Sequence, residues 1–123
     1  MQLVTKDKKI SINELKIMSD KMFNKLVKAV VDIDREIMAV DAPMHVDLEE
    51  FLLDEESELP EGPSQQDNLW GINFHPHEIS DQEFTEFDSM INVRPAIGND
   101  TRYIKDAKIR ERIIKIADML VQK

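Results

Sequence analysis

In the stretch EFDSMINVRPAIGND, residues 86–100, an apolar alternation carries Asp88, Asn92 and Arg94 and then breaks at Pro95. On a single strand, side chains at i, i+4 and i+6 project to one side, separated by about 7 Å per two-residue step. That spacing suits a substrate or ion lying across a sheet. An Asp beside an Arg stays ionised, so it serves better to orient a group or ligate a cation than to donate a proton. Asn73 on the strand-like run NLWGINFHP extends the set, and His45 or His75 would supply a base. The solvated face of an antiparallel sheet carries the same residue types without doing chemistry.

Two further groupings carry weaker signals. In RPAIGNDTRYIKD, Gly98-Asn99 permits a tight turn with positive backbone torsions, Arg94 and Arg102 flank it, and a helix start follows. Backbone donors, a helix dipole and guanidinium groups are the parts of a small anion site, so Arg94, Gly98, Asn99 and Arg102 are the ligand candidates. Asp100 and Asp106 oppose an anion there, and no Walker loop or dinucleotide fingerprint is present. Histidine offers a metal reading: His45 and Asp47 alternate in HVDLE, and HPH supplies His75. That spacing matches no metal signature, and no cofactor motif is found. Ser89 lacks a nucleophile elbow and falls on the predicted core face.

The chain has 123 residues, no cysteine and a formal charge of −9. It is long enough for one core, so a single domain over 1–123 is expected, and thiol chemistry is excluded. No signal-like or membrane-length apolar run is found, which predicts a soluble, cytoplasmic protein. The charge is unevenly placed: +3 over residues 1–25, −16 over 26–93 and +4 over 94–123. Such a balance repels polyanions, so nucleic-acid binding through Arg102, Lys105, Lys108, Arg110 and Arg112 is disfavoured.

These groups must be positioned by recognisable elements. Residues 2–5 read as a short edge strand, and SINE at Ser11 to Glu14 reads as a capping box starting a helix at Ile12 that ends near residue 25. Residues 26–41 read as two strands joined at Asp34-Arg35, although Leu26, Val30, Ile33 and Ile37 also fit a prolonged first helix. Asp47 is placed to cap a short helix over 48–54. The acidic, proline-containing segment at about 54–68 buries little and reads as a mobile loop. Strands over 68–76 and 83–95 then form a hairpin, with Trp70, Ile72 and Phe74 on one core face and Phe87, Ser89, Ile91 and Val93 on the other. Asp106 caps a last helix with Ile109, Ile113, Ile116 and Leu120 in an apolar stripe. The predicted class is α+β, a mostly antiparallel sheet of hairpins with N-terminal and C-terminal amphipathic helices on one face.

LWGIN (69–73), EFDSMINVRP (86–95), IGNDTR (97–102) and the following IRERI helix resemble a family of small prokaryotic proteins known only as a domain of unknown function. The resemblance runs over most of the chain and implies a compact stand-alone domain, with no catalytic residue to carry over. The family turn is more polar and basic than Ala96-Ile97 and Asp100, which weakens the anion-site reading. Sequence therefore predicts a binding or interaction module acting as a homodimer. The competing expectation is a small hydrolase or nucleotide-handling enzyme built around Asp88, Asn92 and Arg94.

Overall fold

The computed structural model describes residues 2–21, 25–41, 45–53, 64–78 and 84–123; the side chains of residues 41 and 45–47 fall outside the description. Five strands form an antiparallel sheet: β1 (Gln2–Val4), β3 (Val27–Asp32), β4 (Ile37–Asp41), β5 (Leu69–Phe74) and β6 (Thr85–Glu86), in the order β1-β4-β3-β5-β6. A separate parallel pair joins β2 (Ile10–Ser11) to β7 (Val121–Gln122). Among the described residues there are three α-helices: α1 (Ile12–Asp20), α2 (His45–Leu53) and α3 (Ala107–Leu120). The class is α+β.

Alternation along the strands separates two apolar clusters. Val27, Ala29, Val31, Met38, Val40, Trp70, Ile72 and Phe74 pack with Leu15 of α1 and with Ile113, Ile116 and Leu120 of α3. The intervening residues Leu3, Val30, Ile37, Ala39 and Leu69 pack with Leu48 and Leu52 of α2. Helical side chains thus cover both faces of the sheet. A central strand covered on both faces reads as a continuous apolar run, which explains why residues 26–41 fit two periodicities in sequence. The strand pair is what forms, with Asp32 opposite Ile37 and Lys28 opposite Asp41.

The helix starts follow local chemistry. Ser11 accepts from the Glu14 N–H at 3.1 Å, and Asp106 accepts from the Lys108 N–H at 2.9 Å. The end of α1 differs from the reading near residue 25. It stops at Asp20, and Lys25 adopts φ 57, a left-handed conformation that a helix cannot propagate. Similarly, α2 begins at His45 rather than after a cap at Asp47, which lies inside its first turn. Of the acidic segment 54–68, residues 54–63 lie outside the described residues, Ser64 is buried, and Gln66–Asn68 make one 3₁₀ turn.

The largest departure concerns the strand expected over 83–95. Among the described residues of that span, only Thr85 and Glu86 join the ladder. The chain then turns through two 3₁₀ segments, Met90–Asn92 and Pro95–Ile97. Ser89 Oγ accepts from the Ile91 N–H at 3.4 Å, a local bond that competes with strand pairing. The expected core face breaks up as a result: Ser89 is buried, Phe87 and Ile91 are half-buried, and Val93 is exposed.

The turn between β3 and β4 stores strain. Asp32 Oδ1 accepts from the N–H groups of Asp34 and Arg35, and Glu36 closes the turn at φ 58. A non-glycine residue pays roughly 1–2 kcal/mol for this region, whereas Asn visits it readily. The exposed Lys6–Glu36 pair at 3.3 Å contributes less than that. Glu36→Asn should therefore raise stability by roughly 0.5–1 kcal/mol in urea denaturation, with an unchanged slope.

Candidate functional site

The edge of β5 determines where the sequence-predicted polar residues go. β3 pairs with all six residues of β5 on one side, while β6 covers only Asn73 and Phe74 on the other. Leu69 and Gly71 are buried and still carry outward backbone groups that need partners. Asn92 supplies them at Gly71. Its Oδ1 accepts from the Gly71 N–H at 2.8 Å, and its Nδ2 donates to the Gly71 carbonyl at 2.9 Å. The side-chain amide thus stands where a neighbouring strand would place a peptide group. Arg94 Nη2 donates to the Leu69 carbonyl, and its guanidinium lies 5.0 Å from the Trp70 ring centroid, with Glu49 of α2 at 3.9 Å. Burial lowers the Arg94 pKa from its ordinary value, opposed by the charges of Glu49 and Asp67.

Close approach makes this possible. A Cβ on residue 71 would overlap Ser89 and come within 2.9 Å of Ile91 Cγ1, so only glycine lets this loop lie against the sheet. Asn99, also buried, secures the far side of the loop. Its Nδ2 donates to the carbonyls of Asn92 at 2.7 Å and Tyr103 at 2.8 Å, and its Oδ1 accepts from the Lys105 N–H at 2.9 Å. Gly98 takes φ 86 in the turn. The N–H groups of Ile97, Gly98 and Asn99 bond to carbonyls of Arg94 and Pro95. The backbone donors expected to hold an anion at this turn are therefore engaged within it.

Asp88 and Arg102 part company with Asn92 and Arg94 and face an open groove beside β6. Its walls include His75, Glu86, Phe87, Asp88, Arg102 and Tyr103. Arg102 Nε donates to Asp88 Oδ1 at 2.6 Å. Glu86 Oε1 receives Asn73 Nδ2 at 2.9 Å and lies 3.2 Å from His75 Nε2. The Asn73 hydrogen bond first, and His75 second, hold the Glu86 carboxyl below its ordinary value. Phe87 and Tyr103 meet edge to face at 6.3 Å, and Arg110 lies over the Tyr103 ring at 5.0 Å.

The groove gathers three sequence candidates, Asp88, Arg102 and His75, with Asn73 buried behind them. Asn92 and Arg94 are drawn away to the β5 edge, so the single polar strand face read from i, i+4, i+6 spacing does not form. His45 and Asp47 sit in the first turn of α2, and their side chains lie outside the description. Among the described residues no group of three His, Asp or Glu converges to hold a metal ion. The sequence reading put Phe87 in the core and singled out neither Glu86 nor Tyr103. Pairing the two aromatic runs around residues 75–84 would have set Glu86 opposite Asn73, the register that is observed.

The family model described as "Protein of unknown function (DUF5674)" matches residues 3–120. The chain belongs to this family. No curated protein and no solved structure matches it. In this DUF5674 member, the three segments LWGIN, EFDSMINVRP and IGNDTR meet at one place, through the Gly71–Asn92, Leu69–Arg94 and Asn92–Asn99 hydrogen bonds.

Two outcomes follow. Asn92→Asp keeps the shape but replaces the donor facing the Gly71 and Arg102 carbonyls with a buried carboxylate oxygen; stability should fall by about 3 kcal/mol in denaturant titration. Glu86 has a depressed folded pKa, so its contribution is complete above the unfolded value and fades as pH falls through the folded one. Glu86→Gln should accordingly flatten the fall in melting temperature between roughly pH 5 and pH 3.

Proposed function

We propose that the protein is a binding and interaction module that acts as a homodimer in the cytoplasm, with the groove beside β6 as its recognition surface. The observation that carries this reading is the contrast between two sets of polar groups. Asn92 and Asn99 are spent on their own backbone, whereas Glu86, Asp88 and Arg102 are paired yet half exposed along one recess. A partner can exchange into exposed ion pairs at small cost, because such pairs contribute little by themselves. The Phe87–Tyr103 wall offers apolar area beside them. An anionic group on a small ligand would compete with Asp88 for Arg102. Membrane insertion has no support: no described helix is long and apolar enough to cross a bilayer. The charge of −9 likewise disfavours nucleic acid.

The homodimer draws support from Met90, Val93 and Ile97, which are all exposed on or between the adjoining 3₁₀ turns. Symmetric pairing is also the commonest way for a soluble chain to cover such residues. The hydrolase or nucleotide-handling reading rests on a different observation: Asn73, Glu86 and His75 form a hydrogen-bonded chain that would orient an imidazole as a base.

Sedimentation equilibrium tests the dimer. The protein should behave as twice its 14.3 kDa chain mass at micromolar concentration, and a Met90→Asp, Ile97→Asp double variant should sediment as one chain. A monomer at every concentration for the unsubstituted protein would remove the dimer. Thermal-shift screening with phosphate, nucleotides and divalent metals separates the two readings of the groove. Turnover of a nucleotide that disappears in His75→Ala would favour the enzyme; binding without turnover, weakened in Arg102→Ala, would favour the module.

A further inference from the structure

The outer edge of β6 is the part of the groove that its paired side chains leave unused. The His75 N–H donates to the Phe84 carbonyl at 2.7 Å, and the ladder continues as Phe74 opposite Thr85 and Asn73 opposite Glu86. In an antiparallel pair, bonded and non-bonded positions alternate. The main-chain groups of Phe84 and Glu86 therefore face β5, and those of Thr85 and, one step past the strand, Phe87 face away from it. The same parity runs along β5, where Gly71 and Leu69 turn their main chain toward Asn92 and Arg94. β6 is last in the sheet order, and among the described residues nothing bonds to the outward groups of Thr85 or Phe87. Thr85 is half-buried and Glu86 exposed, so water can serve this edge, unlike the covered one at Gly71.

The consecutive residues Thr85 to Asp88 line the groove, which makes the unpaired edge part of its wall. The groove holds about 1000 Å³, the top of the roughly 300–1,000 Å³ range of small-molecule sites, which leaves room for a short peptide. Its two faces differ in chemistry. Glu86 and Asp88 fall on the face of Asn73 and His75, to which Glu86 is bonded. Phe87 falls on the opposite face, packs with the cluster that contains Phe74, and meets Tyr103 edge to face. Around the groove the carboxylates of Glu78, Glu86 and Asp88 outnumber the guanidinium of Arg102.

We propose that the groove receives an extended peptide that pairs antiparallel with β6 as a further strand, its basic side chains beside Glu86 and Asp88 and its alternate, apolar ones beside Phe87 and Tyr103. This rests on the reading of the groove as the recognition surface and narrows the partner to a basic, strand-forming segment. In strand addition the main chain supplies affinity and alternate side chains supply specificity. A second copy of β6 is a poor occupant, because symmetric pairing would set Glu86 and Asp88 against their own equivalents on one face, and like charges across strands are destabilising.

A residue directly opposite Thr85 or Phe87 shares its face and turns its own main chain toward β6. In the acetylated, amidated probe Lys-Val-Lys-Val-Lys those residues are the valines. Titrated into the nitrogen-15-labelled full-length protein, it should move the Thr85 and Phe87 amide resonances saturably. Two N-methylated isomers of identical charge separate strand addition from plain attraction to an acidic protein. Methyl groups on both valine nitrogens remove the donors facing β6 and should weaken binding roughly tenfold to a hundredfold, the loss of about two net hydrogen bonds. Methyl groups on the second and third lysine nitrogens point away and should leave it nearly unchanged. Equal effects of the two methylation patterns, equal binding of Glu-Val-Glu-Val-Glu, or binding that leaves Thr85 and Phe87 unmoved would each overturn the proposal. Inorganic phosphate moving the Arg102 resonances while no peptide moves Thr85 would also overturn it, yet would keep the groove as a recognition surface. Groove resonances that neither peptide nor phosphate moves would remove both readings.

Discussion

The side-chain amide of Asn92 acting as a surrogate strand at Gly71 is the interaction on which the rest of this structure depends. A strand buried on both faces cannot leave one of its edges bare, because water does not reach it to satisfy the peptide groups. Here the ladder runs out after two residues of β6, and a carboxamide takes over with the same donor and acceptor spacing. Releasing the backbone from that duty lets residues 87–105 follow an irregular path. That path is what opens the groove beside β6.

Arg94 and Asn99 extend the same logic. Arg94 ties β5 to α2 through the Leu69 carbonyl and Glu49, and Asn99 ties the loop to itself and to the approach of α3. Residues whose types suggest catalysis are here doing the work of secondary structure. Side chains that replace backbone partners must be polar, buried and geometrically fixed, and those are also the marks of a reaction centre. The two uses are told apart by where the free lone pairs and protons point. At Asn92 they are all directed at main-chain atoms, whereas at Glu86 and Asp88 part of the carboxylate still faces the groove.

Much of the regular structure was legible because it is written locally. Ser11 and Asp106 announce their helices by capping chemistry, and Val27 to Asp32 and Ile37 to Asp41 announce strands by β-branched content. The region 87–99 was not legible, since the alternation Phe87, Ser89, Ile91, Val93 satisfies a strand template while the outcome turns on a contact with Gly71, some twenty residues away. Periodicity carries no information about a side chain replacing a backbone. The site inherited that error: Asp88, Asn92 and Arg94 share a face only if the strand exists. Arg102 and His75 were singled out in sequence, but their pairing with Asp88 and Glu86 follows from tertiary register.

The small parallel pair of β2 with β7 has a bearing on synthesis. Ser11 both caps α1 and sits beside Gln122 in that pair, so the start of the first helix is braced by residues made more than a hundred peptide bonds later. On a ribosome the sheet and α1 can approach one another early, yet this brace is absent until α3 has emerged. The domain therefore fastens its first helix with its last strand, a brace that a nascent chain lacks until β7 has been made.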